Sequence, residues 1–303
     1  MDKLVWIAPD LEVLREFRVL PWRGSDTSWV NVYLLRRKYG LEIAVKDGVL
    51  FRYYHGKAPN RQGYGYPLAG NGFDAGKVFQ ILERDAERRG GIGFCLCDAG
   101  QKETVPGFFG LEWEADPGDE DYIYEREKWV DFAGKKYQRL RNRANLFNRL
   151  YPEAIFCPID GPERLRDALR VAEEWQEEHQ GLEEMPAADL EEEQRCILDA
   201  VEHWKELGMT GGVLYVDGVP VATTMASLLS DDCLDFHFDK AVGAYAAAGA
   251  TVVARRHLAA SGIGRGRRYF NLEEDVNIPG LRQSKETYRP VSKLVKYYGG
   301  KPC

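Results

Sequence analysis

The chain has few of the features that betray a function at sight. Six cysteines stand at 95, 97, 157, 196, 233 and 303 of 303 residues, and only Cys95 and Cys97 are close. A structural zinc site wants two close pairs, so the spacing reads as free thiols and predicts no metal. No uninterrupted apolar run reaches the roughly 18 residues of a membrane span. The richest stretch of small apolar residues, Ala241–Ala254, is fourteen residues long. Residues 1–20 scatter Asp2, Lys3, Asp10, Glu12, Arg15 and Glu16 among their apolar residues, leaving no secretory apolar core. These absences predict a cytoplasmic protein with no transmembrane segment. Low-complexity tracts are missing too.

What is present is a globular balance, with 44% hydrophobic and 29% charged residues. A net charge of −7 excludes a uniformly basic nucleic-acid binder, yet the charge is unevenly spread. Arg126–Arg149 carries eight Lys/Arg against Glu127 and Asp131. Glu173–Glu193 carries ten acids and no Lys or Arg, and Arg255–Arg268 five arginines and no acid. Local basic segments on an acidic protein suit a localised anionic partner, or a solvated helix face balanced by an acidic one.

One order of elements recurs. Runs rich in β-formers flank Asp47-Gly48 and again Asp217-Gly218, 170 residues later. Asp-Gly between such runs predicts a tight hairpin, because glycine takes positive φ without a Cβ clash. A third strand follows each hairpin (Tyr64–Leu68; Leu234–Phe238), then a helix, then a closing strand (Ile92–Cys97; Arg268–Leu272). The first helix starts at an Asp74 N-cap and stops at Gly90-Gly91; the second starts near Tyr245 and stops at Gly262. Between the units, Arg164–Glu177 and Leu190–Leu207 show helical apolar stripes. The acidic stretch Glu177–Asp189 reads as a flexible loop. Tyr151-Pro152 stops the preceding basic helix, placing the boundary of two domains at 1–150 and 151–303.

Hairpin, strand, helix, strand is the core order of the GNAT acyltransferase fold, in which central strands splay around a donor. The predicted class is therefore α+β: two tandem GNAT-like domains, each a mostly antiparallel sheet flanked by helices. The GNAT phosphate loop, Gln/Arg-x-x-Gly-x-Gly/Ala, is answered here by Lys240-Ala-Val-Gly243-Ala-Tyr245, with tyrosine where a small residue belongs. Three stretches narrow the likeness: Gly134-Lys-Lys-Tyr-Gln-Arg-Leu-Arg-Asn-Arg-Ala-Asn145, Phe236-His-Phe-Asp-Lys240, and Asn271-Leu-Glu-Glu-Asp275 followed by Gly280-Leu-Arg-Gln-Ser-Lys285 and Tyr288-Arg-Pro290. Together they resemble the C-terminal domain of phosphatidylglycerol lysyltransferases and related stand-alone proteins that lack the membrane region. That resemblance implies an aminoacyl-tRNA donor and a lipid head-group acceptor.

The candidate chemistry falls in the second half. Period two places Asp235, His237 and Asp239 on one strand face and Phe236 and Phe238 on the other, with His237 as base. Glu273, Glu274 and Asp275 follow a strand end, and Arg282, Lys285 and Tyr288 recur at i, i+3, i+6. The expected catalytic set is His237, Asp239, Glu274 and Tyr288, the phenol protonating a leaving group. Lys240, Gly243, Asn271, Arg282 and Lys285 are expected to hold the donor, and Lys135, Lys136, Arg139, Arg141 and Arg143 within 135–149 to hold tRNA. Acyl or aminoacyl transfer to an amine or hydroxyl follows, the acceptor being a small molecule or a lipid head group. Acyl-CoA transfer to a small amine and a non-catalytic GNAT-derived binding module are the alternatives.

Overall fold

Each Asp-Gly pair closes a hairpin in the computed structural model, which describes residues 3–18, 24–181 and 187–301. Asp47 and Gly48 take φ of 52° and 74°, Asp217 and Gly218 51° and 77°. Two successive positive φ values make the turn whose twist matches the flanking strands.

In the first half, two short helices, α1 (Leu11–Leu14) and α2 (Trp29–Leu34), precede the hairpin β1 (Glu42–Lys46) and β2 (Val49–His55). Strand β3 (Gln62–Leu68) follows, then α3 (Ala75–Arg89). The Asp74 side chain caps its start and Gly90, left-handed at φ 89°, ends it. Strand β4 (Phe94–Cys97), α4 (Ala99–Thr104) and β5 (Glu112–Ala115) complete this segment. Next come β6 (Asp121–Glu125), α5 (Arg126–Asp131), α6 (Gln138–Leu150) and β7 (Ile155–Pro158). The amphipathic helices α7 (Pro162–His179) and α8 (Ala187–Glu202) lead into β8 (Thr210–Val216), β9 (Val219–Ser230) and β10 (Cys233–Ala241). Residues 182–186 of the expected flexible loop lie outside the described residues. The second helix is broken in two, α9 (Gly243–Ala248) and α10 (Ala250–Ala260), because Gly249 between them is left-handed at φ 110°. Strand β11 (Tyr269–Asn271), α11 (Pro279–Thr287), β12 (Ser292–Leu294) and β13 (Tyr297–Gly300) end the chain.

The first sheet runs β1-β2-β3-β4-β13-β5, and the corresponding strands of the second run β8-β9-β10-β11-β6. Both follow one rule. Two antiparallel pairings join the first three strands, a parallel pairing joins the third to the fourth, and an antiparallel strand covers the fourth. The two halves therefore share a topology.

The chain divides into compact units at Met1–Asp121, Glu274–Asn277 and Lys293–Cys303, and at Tyr122–Glu273 and Ile278–Ser292. This differs from the boundary expected near residue 150. The reason is apolar: Leu140, Ala144 and Phe147 of α6 share a buried cluster with Trp129, Phe236, Leu258 and Phe270 of the second unit. Trp129 is fully buried and meets the rings of Tyr124, Phe236, Phe270 and Tyr288 at centroid distances of 5.1, 5.8, 5.3 and 4.9 Å. Burying one such ring removes about 150–250 Å² from water, about 4–6 kcal/mol at ~25 cal/mol/Å². A separate cluster around Tyr64, Phe79 and Phe94 fills the first unit.

Candidate active site in the second unit

Strands β10 and β11 run parallel for only three rungs, Cys233↔Tyr269, Leu234↔Phe270 and Asp235↔Asn271. Beyond Asp235, β10 continues along β9 while β11 stops, so the two strands part there. The register of β10 on β9 slips between Phe236 and Phe238, leaving His237 as the extra residue of a bulge. A bulge re-aims side chains, and this one decides the site.

Before the slip, Asp235 stands between Ser227 of β9 and Asn271 of β11, its cross-strand neighbours on either side. His237 joins them. Its Nε2 lies 2.8 Å from Ser227 Oγ and its Nδ1 3.1 Å from Glu273 Oε1. With the proton on Nδ1, the ring donates to Glu273 and accepts from the Ser227 hydroxyl. The His237 side chain is 2% exposed, and Ser227 and Asp235 are buried. Glu273 reaches back because its own backbone is left-handed at φ 55°, its N–H bonded to Asn271 Oδ1 at 2.6 Å. A non-glycine residue in that conformation stores strain and marks an over-determined position. Asp235, His237 and Glu273 also offer ligand atoms within 4.8 Å of one another, a spacing a cation would accept. Both imidazole nitrogens are engaged, however, so a metal would have to displace Ser227 or Glu273.

After the slip, Asp239 faces the opposite side from His237, not the same side as strict alternation predicts. Its Oδ2 accepts from Arg255 Nε and Nη2 at 3.1 and 2.8 Å. Tyr288 is buried under that guanidinium, 4.7 Å from ring centroid to Arg255. Burial raises the Tyr288 pKa against the pull of Arg255, so the phenol keeps its proton. Lys285 is buried, its ammonium bonded to the carbonyl of Leu272 beyond β11, and Tyr124 Oη donates to its carbonyl at 2.9 Å. Arg282 stands half-buried earlier on α11.

The expected phosphate loop is occupied from within. Lys240 Nζ lies 2.8 Å from both carboxylate oxygens of Glu193 and 3.4 Å from the Trp175 ring centroid. Burial lowers the Lys240 pKa, against the opposing pull of Glu193. The N–H of Gly243 donates to Glu178 at 2.9 and 3.1 Å. A carboxylate thus sits on the N–H that a GNAT phosphate would use.

The basic segment is not one uniform face. Arg141 turns inward and donates to the carbonyls of Phe132 and Gly134. Arg143 donates to the Ala246 and Ala247 carbonyls at 3.2 and 3.1 Å, closing the C-terminal end of α9. Lys136 covers the Tyr137 ring and Lys135 is exposed. Arg139 is exposed, without a hydrogen bond or ion pair among the described residues. Among the described residues none of these arginines pairs with the acidic run 173–193; two of its acids go instead to Lys240 and Gly243.

Glu274, expected among the catalytic groups, belongs to the first unit, where it pairs with Arg61 at 3.3 Å and Lys296 at 3.7 Å. Lys296 also meets Asp121 at 2.6 Å and Asp26 at 3.3 Å. Burial alone would lower the Lys296 pKa, but Asp121, Glu274 and Asp26 outweigh it and the net shift is upward. Burial raises the Asp26 pKa against Lys296 and Arg52. This knot reads as a satisfied structural ion cluster. Cys95, also in the first unit, is no nucleophile: burial pushes its thiol up to about 12.

The sequence pattern singles out His237 and chooses Glu274 among the three strand-end acids, and it names neither Ser227 nor the Arg255 partner of Asp239. Ser227 sits in an apolar-looking strand, Glu273 is one residue from the acid chosen, and Arg255 is two elements on from Asp239. Only cross-strand register could have found them.

A sequence profile of the family described as "Phosphatidylglycerol lysyltransferase, C-terminal" matches residues 17–298. A conserved protein of unknown function from Bacteroides thetaiotaomicron is 26% identical and superposes with a TM-score of 0.86, over 98% of this chain and 99% of that one. L-PGS from Bacillus licheniformis shares 17% identity at a TM-score of 0.64, over 97% and 92% of the two chains. A tandem GNAT protein from the clavulanic acid biosynthesis pathway, 10% identical, covers 99% of both chains at 0.51 and shares the fold. No curated protein matches. The architecture is α+β with two tandem GNAT-like units, and among the described residues no helix is long and apolar enough to cross a membrane. With nearly its whole length matched, the chain belongs to the phosphatidylglycerol lysyltransferase C-terminal family.

Proposed function

We propose that this protein transfers an acyl or aminoacyl group from an activated ester to an amine or hydroxyl acceptor, in the cleft where β10 and β11 part. The observation that carries this reading is His237, held between Glu273 and Ser227 two residues past the last β10–β11 rung. His237 Nε2 takes the acceptor's proton, directly or through the Ser227 hydroxyl, Glu273 stabilises the imidazolium that results, and the imidazolium returns that proton to the ester oxygen that departs as the acyl C–O bond breaks. A positioned general base of this kind contributes about 10²–10⁴ in rate. The buried Lys285 ammonium at the end of β11 supplies positive charge for the tetrahedral oxyanion. Asn271 sets the turn that presents Glu273.

Aminoacyl-tRNA is the favoured donor over acyl-CoA, because Glu178 and Glu193 hold the groups a CoA pyrophosphate would need. Family membership supports the same choice, and a lipid head group or small amine fits as acceptor. The test is incubation with charged bulk tRNA, and separately with acetyl-CoA, plus hydroxylamine as a general acceptor. Product from tRNA that is lost in His237→Gln supports the reading. No product from either donor, with the fold intact, returns the protein to the class of binding modules.

A further inference from the structure

Away from the His237 cluster, the second unit holds a cavity of about 260 Å³ between α6, α10 and α11. Its polar lining includes Arg139 and Arg143 from α6, Thr251 and Arg255 from α10, and Ser284 and Tyr288 from the α11 segment. No aspartate or glutamate lines it. We propose that this cavity is a phosphate-ester site, taking one phosphate group with the first part of its ester substituent.

Three features carry the assignment. The first is charge: three arginines line one small space, and among the described residues the only carboxylate bonded to any of them is Asp239, on Arg255. Like charges are gathered at a cost unless an anion joins them. The second is fixation. Arg255 is held by two hydrogen bonds to Asp239, and Arg143 by the Ala246 and Ala247 carbonyls, so their forks are already ordered. Arg139, four residues before Arg143 and on the same face of α6, is left with no partner among the described residues. A planar fork of this kind grips phosphate bidentately. The third is size. Pockets for drug-sized ligands run from about 300 to 1,000 Å³, so 260 Å³ suits a phosphate with the first part of its substituent better than a whole cofactor. The first turn of α10 opens beside the cavity with no side-chain cap at Gly249, which adds to the positive field.

The anion is a phosphate mono- or diester, from either a tRNA end or a small phosphorylated metabolite. That it belongs to the donor rests on the transfer reading above; that it binds does not.

The experiment titrates the full chain with inorganic phosphate, adenosine 5′-monophosphate and bulk tRNA, for wild type, Arg139→Ala, Arg139→Lys and Arg141→Ala. Arg139 is exposed and unpaired, so its loss leaves the fold intact. The expected result is saturable binding weakened about tenfold by Arg139→Ala, less by Arg139→Lys, and unchanged by Arg141→Ala. Binding of the small phosphates without tRNA upholds the pocket and assigns it to a metabolite. Saturable tRNA binding with the same ranking of variants upholds it and assigns it to the donor. Equal weakening by Arg139→Ala and Arg141→Ala would mean a diffuse basic surface and overturn the pocket, as would no binding of any probe. None of these outcomes depends on transfer, so loss of activity in His237→Gln is read separately.

Discussion

Glu178 receives the main-chain N–H of Gly243 on both carboxylate oxygens, at 2.9 and 3.1 Å. The bond places negative charge where a GNAT fold receives its cofactor's pyrophosphate. Acetyl-CoA should therefore show no saturable binding at micromolar concentrations by calorimetry. A micromolar dissociation constant in the wild type would overturn the donor assignment.

His237→Gln is expected to slow transfer about 10²–10⁴-fold. Glu273→Gln keeps a hydrogen-bond acceptor beside Nδ1 and should cost less than His237→Gln. Single-turnover rates, beside circular dichroism to confirm folding, check the order. Equal rates in wild type and His237→Gln would remove His237 from the chemistry.

Lys296→Met leaves Asp26, Asp121 and Glu274 without their shared cation. Breaking a buried pair in this way costs about 3–5 kcal/mol. The sign of the pH effect follows from the upward shift of Lys296 above 10.5. A raised folded pKa stabilises fully below the unfolded value and is lost as pH rises through the folded one. Between pH 10.5 and that higher value, wild type should lose stability faster than Lys296→Met, by about 1.4 kcal/mol per pH unit. Parallel denaturant midpoints from pH 9 to 11.5 would show instead that Lys296 is not shifted.

Gly211→Ala should destabilise the second sheet, since its Cβ would lie 2.2 Å from the Thr224 carbonyl oxygen on β9. The atoms it would meet are all backbone of Thr224 and Met225, with no flexible side chain to yield, so a loss of about 1–3 kcal/mol or more is expected. Gly218→Ala, at φ 77° with nothing within 4 Å of the new Cβ, is the control. It should cost only about 1–2 kcal/mol, the left-handed penalty. Equal denaturant midpoints for the two variants would refute the clash.

Much of the fold was legible because its signals are local. Asp47-Gly48 and Asp217-Gly218 need only two residues to specify a turn, and Asp74 and Gly90 cap α3 by their own chemistry. The repeated order of elements then gave the tandem architecture. The domain boundary was not legible, because α6 chooses its unit by which apolar surface receives Leu140, Ala144 and Phe147. Nor was the break at Gly249 visible in an alanine-rich run that reads as one helix.

The site divides in the same way. Sequence by itself placed a histidine between two aspartates on the third strand of the second repeat, three acids after its closing strand, and a cluster of basic residues in 135–149. One extra residue in β10 decided the rest. Strict alternation places His237 and Asp239 together, but the slip between Phe236 and Phe238 sends His237 to Ser227 and Glu273 and Asp239 to Arg255. A bulge is set by the pairing of two strands, not by the composition of either. Partners 10 to 36 residues apart are therefore the work of tertiary structure alone.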